Sequence, residues 1–179
     1  MHDLARQIFD DAIADFVILE KDNIASDISE RNLCGRLSIY ITSKFWKYRL
    51  RGYFADIEYN RKQGGLVKTI LDDQFNMVVI QADLIVHSRG RFIDRDNFLA
   101  IEMKKSTRPG AEMVSDRIRL RAMTKKSYDG VWSSGDGTHP DHVCNYSLGV
   151  YIILDVKSRN YILEFYHLGE LVDMIKGEF

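Results

Sequence analysis

Apolar residues recur along this chain first at helical spacing and then at strand spacing. Ile8, Phe9, Ala12, Ile13, Phe16 and Val17 form a broad apolar stripe, which predicts an amphipathic helix over residues 3–20. Leu33, Leu37, Tyr40, Ile41 and Phe45 predict a second helix over 27–46, where the small residues Cys34, Gly35 and Ser38 permit close packing. From Gly52 to Arg61 the period changes to two, placing Phe54, Asp56, Glu58 and Asn60 on one face and Tyr53, Ala55, Ile57 and Tyr59 on the other. This segment is predicted as the first strand. Gly64 and Gly65 then make a turn, and 66–71 forms either a short helix or an extended connection.

Strands are predicted at 76–87 and 97–104, joined by a loop carrying Arg89, Arg91 and Arg95. Leu84–Val86 and Leu99–Ile101 are continuous apolar runs, as in central strands covered on both faces. After the breakers Pro109 and Gly110, a helix begins at Glu112 or Ser115 and ends near Lys126. It turns Ile118, Ala122 and Leu120 or Met123 inward and presents Arg117, Arg121 and Lys125 as a basic stripe. Residues 128–146 form a glycine-punctuated loop, 148–156 and 161–166 a β-hairpin, and 169–176 a short closing helix. The order implies one α/β domain over residues 1–179, with a central mixed sheet flanked by helices. The N-terminal helix and the 148–167 hairpin are additions to its core.

Composition fits one ordered domain: 179 residues, 45% hydrophobic and 28% charged, with two prolines. A net charge of −1 excludes a uniformly basic coat for nucleic acid, so any electrostatic footprint must be local. Between Lys104 and Lys126, eight basic residues face only Glu112 and Asp116, a local surplus of six. Cys34 and Cys144 make no disulfide framework, which suggests a reducing compartment, and the early charges Asp3, Arg6, Asp10 and Asp11 interrupt any signal-peptide core. No apolar run approaches a membrane span. The expected location is cytoplasmic.

The candidate chemistry lies in Gln81-Ala-Asp83-Leu-Ile-Val-His87 and Asn97-Phe-Leu-Ala-Ile-Glu102-Met-Lys104-Lys105. Strand alternation sets Glu102 and Lys104 on one face, with Ile101 and Met103 on the other. Asp83 and Glu102, from neighbouring strands, can share a divalent cation, since Mg²⁺ is held by one or two carboxylates and keeps several waters. Such an ion lowers the pKa of a bound water and stabilises charge on a phosphoryl oxygen. Lys104 beside it would orient or deprotonate the attacking water, or neutralise the transition state.

An Asp, a linker of under twenty residues and a Glu-x-Lys on a second strand resemble the PD-(D/E)xK, or restriction-endonuclease-like, nuclease superfamily. Ala82 stands where that family often has proline. The resemblance implies a three-layer αβββαβ core over roughly residues 27–156. It also implies a Mg²⁺-dependent nuclease, with Mn²⁺ as a substitute, that hydrolyses DNA phosphodiester bonds. Asp83, Glu102 and the Met103 main-chain carbonyl would hold the metal and Lys104 would position the water. Glu30 resembles the acidic residue that many members carry on a preceding helix; it is equally well explained as the partner of Asp27 in a capping box. Arg89, Arg91, Lys105, Arg117, Arg121 and Lys125 are the candidate phosphate contacts. The implied partners are DNA and either a second copy or a larger complex, with no membrane.

Rival readings concern single residues or the whole site. Asp56 and Glu58 fit a solvated edge, paired with Arg61 and Lys62, better than a metal site. His87 is better explained as a satisfied histidine in the sheet than as a general base. His139, Asp141, His142 and Cys144 lack the second half of a standard zinc motif, and a lid with Trp132 for base stacking suits that loop better. A second function class is a catalytically inactive nucleic-acid-binding or protein-interaction module on the same fold, such as a subunit of a defence or mobile-element complex.

Overall fold

The computed structural model describes residues 1–59, 69–71, 77–79, 82–126 and 144–179. Its elements are α1 (His2–Leu19), α2 (Lys21–Ala25), α3 (Glu30–Lys44), β1 (Phe54–Ile57), β2 (Thr69–Leu71), β3 (Met77–Val79), β4 (Leu84–His87), β5 (Asn97–Lys105), α4 (Gly110–Thr124), β6 (Leu148–Asp155), β7 (Asn160–His167) and β8 (Glu170–Glu178). Six strands form a mixed open sheet in the order β1-β4-β5-β6-β7-β8, parallel only between β5 and β6; β2 and β3 pair separately. The chain is therefore α/β. None of the described helices is long and apolar enough to cross a membrane.

Alternation along the central strands divides the core in two. Leu84, Val86, Leu99, Ile101 and Met103 pack with α1 and α3, whereas Ile85, Ala100, Tyr151 and Ile153 pack with Leu120, Ala122 and Met123 of α4. All six residues of the predicted α1 stripe are buried. Gly35 of α3 faces β1, where an added Cβ would make an ordinary contact with Ile57 Cδ1 at 3.6 Å, so the site does not require glycine. Glu20, at the end of α1, is buried and accepts hydrogen bonds from Asn23, Arg36 and Tyr40, tying the three N-terminal helices together. The Arg36 hydrogen bond dominates and holds the Glu20 carboxyl down at about 2.

Several elements differ from the sequence pattern. The closing segment is strand β8, not a helix. Leu168 and Gly169, at φ 51° and 83°, make a two-residue turn between the paired residues His167 and Glu170. That geometry is the positive-φ hairpin turn that matches strand twist, and it delivers the next residues onto the open edge of β7. The C-terminal hairpin is thus a three-stranded meander. Leu171, Val172, Met174 and Ile175 of β8 remain exposed. The predicted 76–87 strand is two strands, with β3 paired to β2 and β4 in the main sheet, and 69–71 is extended. Helix α3 starts later than predicted, capped by Ser29, whose side chain accepts the Asn32 N–H; Asp27 stands outside it at φ 59°. Ile118 of α4 is 41% exposed rather than inward. The two-glycine turn, Arg61, Lys62 and the 127–143 part of the long loop, with Trp132, His139, Asp141 and His142, lie outside the described residues.

Gly149 marks the closest approach of α4 to the sheet: a Cβ there would lie 2.9 Å from Thr124 Cγ2 and 3.3 Å from Tyr166 Cβ. Gly149→Ala is expected to destabilise the protein by about 1–3 kcal/mol through overpacking. Urea denaturation checks this, through a lower midpoint at unchanged slope.

Candidate functional site

The strand register brings the two halves of the motif together. β4 and β5 are antiparallel, with Leu84 opposite Ile101, so Asp83 at the entry to β4 lies beside residues 102–104 of β5. Its Oδ2 accepts the Met103 N–H at 2.8 Å, which fixes the carboxylate against the neighbouring strand. Met103 turns its side chain to the opposite core, where Cys34 Sγ lies 3.9 Å from its sulfur. Glu102 and Lys104 project to the α4 side. Lys104 Nζ stands 3.8 Å from Asp83 Oδ2 and 3.5 Å from Asp116 Oδ2, beyond ordinary hydrogen-bond distance but within ion-pair range.

Helix α4 contributes a pair that the motif pattern did not single out. Arg119 Nε donates to Glu102 Oε1 at 2.6 Å, and its Nη2 binds Asp116 Oδ1. One guanidinium thus bridges a carboxylate of the sheet and one of the helix. In the sequence both residues figure only in a charge count. The available signal was their i, i+3 spacing, which puts an acid and a base on one helical face.

Burial governs the electrostatics. The side chains of Glu102 and Asp116 are 1% and 5% exposed. Desolvation, reinforced by Asp83, pushes the Glu102 carboxyl well above the usual carboxylate range despite Arg119. Asp116 is raised in the same way, against the opposing pull of Lys104 and Arg119. For Lys104 burial works against the charged form, but Asp83, Asp116, Glu102 and Glu30 outweigh it, so its pKa lies above the ordinary lysine value. Lys104 is therefore an ammonium here, suited to offsetting negative charge rather than to taking up a proton. Among the described residues, Glu102 Oε2 and the hydroxyl of Tyr151, which stands opposite Glu102 in the β5–β6 register, are buried without a hydrogen-bond partner, and Asp116 Oδ2 meets only the Lys104 ammonium. Orphaned polar atoms of this kind each cost about 1–3 kcal/mol, and more when charged.

The remaining candidates occupy different places. Glu30 accepts the Lys105 N–H at 2.9 Å and a two-pronged pair from Arg108 at 3.0 Å, which lower its pKa against the upward push of burial. It anchors the end of β5 and is not the capping-box partner of Asp27. Lys105 itself binds Asp27, at 2.6 Å to Oδ1 and 2.9 Å to the carbonyl. Arg89 lies past the far end of β4, where it pairs with Asp56 and covers the Phe54 ring at 4.2 Å; Arg91, also there, is exposed. Asp56 also meets His87 Nε2 at 2.9 Å, and Glu58 pairs with Arg31 at 3.1 Å. Asp56 and Glu58 thus serve as ion-pair partners, and His87 is satisfied within the sheet. Arg117 is held by Glu164 in two hydrogen bonds of 2.8 Å, and Arg121 stands 3.6 Å from Glu170. Lys125 follows α4, and Gly169 packs against its side chain.

No protein-family model, curated protein or solved structure matches the chain. Among the described residues, no three His, Cys, Asp or Glu side chains stand together in a way that would hold a metal ion as they are. The geometry supplies a reason. Arg119 occupies the space between two of the carboxylates, and Asp83 is turned to a main-chain N–H.

The raised Glu102 pKa has a pH signature. Below 4.5, its ordinary value, the carboxyl is protonated in both the folded and unfolded chain. Above it the unfolded chain ionises first, so stability falls as pH rises toward the folded-state value. In buffer with chelator, Glu102→Gln is expected to gain on the wild type as pH rises above about 4.5. Urea denaturation across that range checks this, and parallel profiles would contradict it.

Proposed function

We propose that this chain is a divalent-metal-dependent nuclease that hydrolyses DNA phosphodiester bonds, similar to the PD-(D/E)xK enzymes. The observation that carries the reading is the convergence of Asp83, Glu102 and Lys104, from segments 20 residues apart, on adjoining strands. The succession α3, β1, β4, β5, α4, β6, with β5 and β6 parallel, supports the corresponding αβββαβ core.

The donor set suits Mg²⁺ or Mn²⁺. Carboxylate oxygens are the hard ligands these ions take, and among the described residues Glu102 Oε2 has no hydrogen-bond partner. Asp83 and Glu102 would hold the metal, with the Met103 carbonyl as a main-chain ligand. Glu30 would act one shell further out, through its hold on Lys105. When bound, the ion supplies an activated water and charge stabilisation at the phosphoryl group. Lys104, kept protonated by its acidic surroundings, offsets the negative charge that builds on the phosphate oxygens and orients the incoming water. Arg89, Arg91, Lys105, Arg117, Arg121 and Lys125 are the proposed phosphate contacts. Arg117 would have to exchange Glu164 for a phosphate, so the exposed Arg91 is the readier contact. A cytoplasmic location and a second copy or larger complex as partner belong to the same proposal.

One observation favours the second reading, a module without turnover: the Arg119 bridge already gives Glu102 and Asp116 a shared counter-charge. Cleavage assays on linear, circular, single-stranded and branched DNA separate the two. The wild type is expected to cut only with Mg²⁺ or Mn²⁺. Glu102→Gln and Lys104→Ala should each lower the rate by about 100-fold or more while DNA affinity is largely kept. Metal-independent cleavage, or full activity in both variants, rejects the assignment.

A further inference from the structure

We propose that Asp116 is a third carboxylate of the cation site formed with Asp83 and Glu102, and that Arg119 is its exchangeable occupant, with the guanidinium leaving as a divalent metal enters. The inference rests on the nuclease reading of Asp83 and Glu102 and adds two residues from a different element. It stands on four observations.

Arg119 is the only group that hydrogen-bonds both buried carboxylates among the described contacts, so it sits where an ion between them would sit. The carboxylates keep acceptors in reserve: among the described residues Glu102 Oε2 has no hydrogen bond, Asp116 Oδ2 meets only the Lys104 ammonium at 3.5 Å, and the buried Tyr151 hydroxyl opposite Glu102 has no partner. Hard divalent cations take six or more oxygens, whereas the guanidinium draws on one from each carboxylate. Charge points the same way. Among the described residues Asp83, Glu102 and Asp116 oppose Lys104 and Arg119, which leaves one negative charge over if all ionise; replacing the guanidinium by a divalent ion removes it. Finally, the exit is short. The Arg119 side chain is 18% exposed while its partners are nearly sealed, so of the three it is the one that reaches solvent.

Two measurements on the full chain test this. In protein labelled with ¹⁵N-arginine, the Nε–H of Arg119, identified by its loss in Arg119→Lys, is expected to lose its protection as Mg²⁺ is added. By calorimetry with Mn²⁺, Asp116→Asn is expected to weaken binding at least about tenfold. Arg119→Gln should tighten it by about tenfold, if the guanidinium fills the site in roughly nine molecules of ten. Should Arg119→Gln fail to fold, the Nε signal of the wild type and the Asp116→Asn titration decide the matter. Metal binding that depends on Glu102 but leaves the Arg119 signal and the Asp116→Asn affinity unchanged overturns the exchange and keeps the nuclease reading. No Mn²⁺ binding at millimolar concentration by either wild type or Arg119→Gln overturns both.

Discussion

Burying the Glu102 carboxylate beneath α4 is the constraint on which the rest of this structure turns. A carboxylate removed from water must be paired, protonated or bound to a metal, because its desolvation is not repaid by apolar contacts. Here it is partly paired. Arg119 satisfies one oxygen, the other has no partner among the described residues, and the next two acids, Asp83 and Asp116, deepen the negative field instead of relieving it. A well-packed apolar side chain in the middle of β5 would give a simpler core. The charge is tolerable because a lysine, an arginine and two strands hold it in a defined place.

The fold creates that place from ordinary elements. β5 is antiparallel to β4 as far as Ile101 and parallel to β6 along its whole length, so residues 102–104 run just past the start of β4, where the Asp83 side chain takes the Met103 N–H, with helices over both faces. Its alternation sends Met103 into the α1–α3 core and Glu102 and Lys104 to the α4 side. The segment after β5 then returns as α4, and the same helix that shields the carboxylate from water supplies Asp116 and Arg119. Shielding and counter-charge come from one element, which makes the electrostatics of the site inseparable from the packing of α4.

Much of this was legible in the chain. The α1 stripe, the apolar runs of β4 and β5 and the shared face of Glu102 and Lys104 follow from period alone. What was not legible depended on tertiary context. Val172, Met174 and Ile175 alternate as strand and as helix equally well in so short a segment; the open edge of β7 and the positive-φ turn at Leu168-Gly169 settle the matter. Asp116 and Arg119 are inconspicuous among the charges of a basic stretch until α4 lies over β5. Conversely, Arg117 and Arg121 give a convincing basic stripe on a helical wheel, yet strands β7 and β8 bring Glu164 and Glu170 against them. Glu30 can be read from the chain as an outer acid or a capping-box partner, whereas its actual partners, Lys105 at the end of β5 and Arg108 just beyond it, come together with it only in the fold.

The central claim is that Asp83, Glu102 and Asp116 form one divalent-cation site regulated by Arg119. Crystals of the wild-type chain soaked in Mn²⁺, with data collected at a wavelength where manganese scatters anomalously, test it most directly. The account predicts an anomalous peak within coordination distance of Glu102 and Asp116 oxygens, with the Arg119 guanidinium withdrawn from between them. A map without a peak at saturating Mn²⁺, with Arg119 still bridging the two carboxylates, would contradict it.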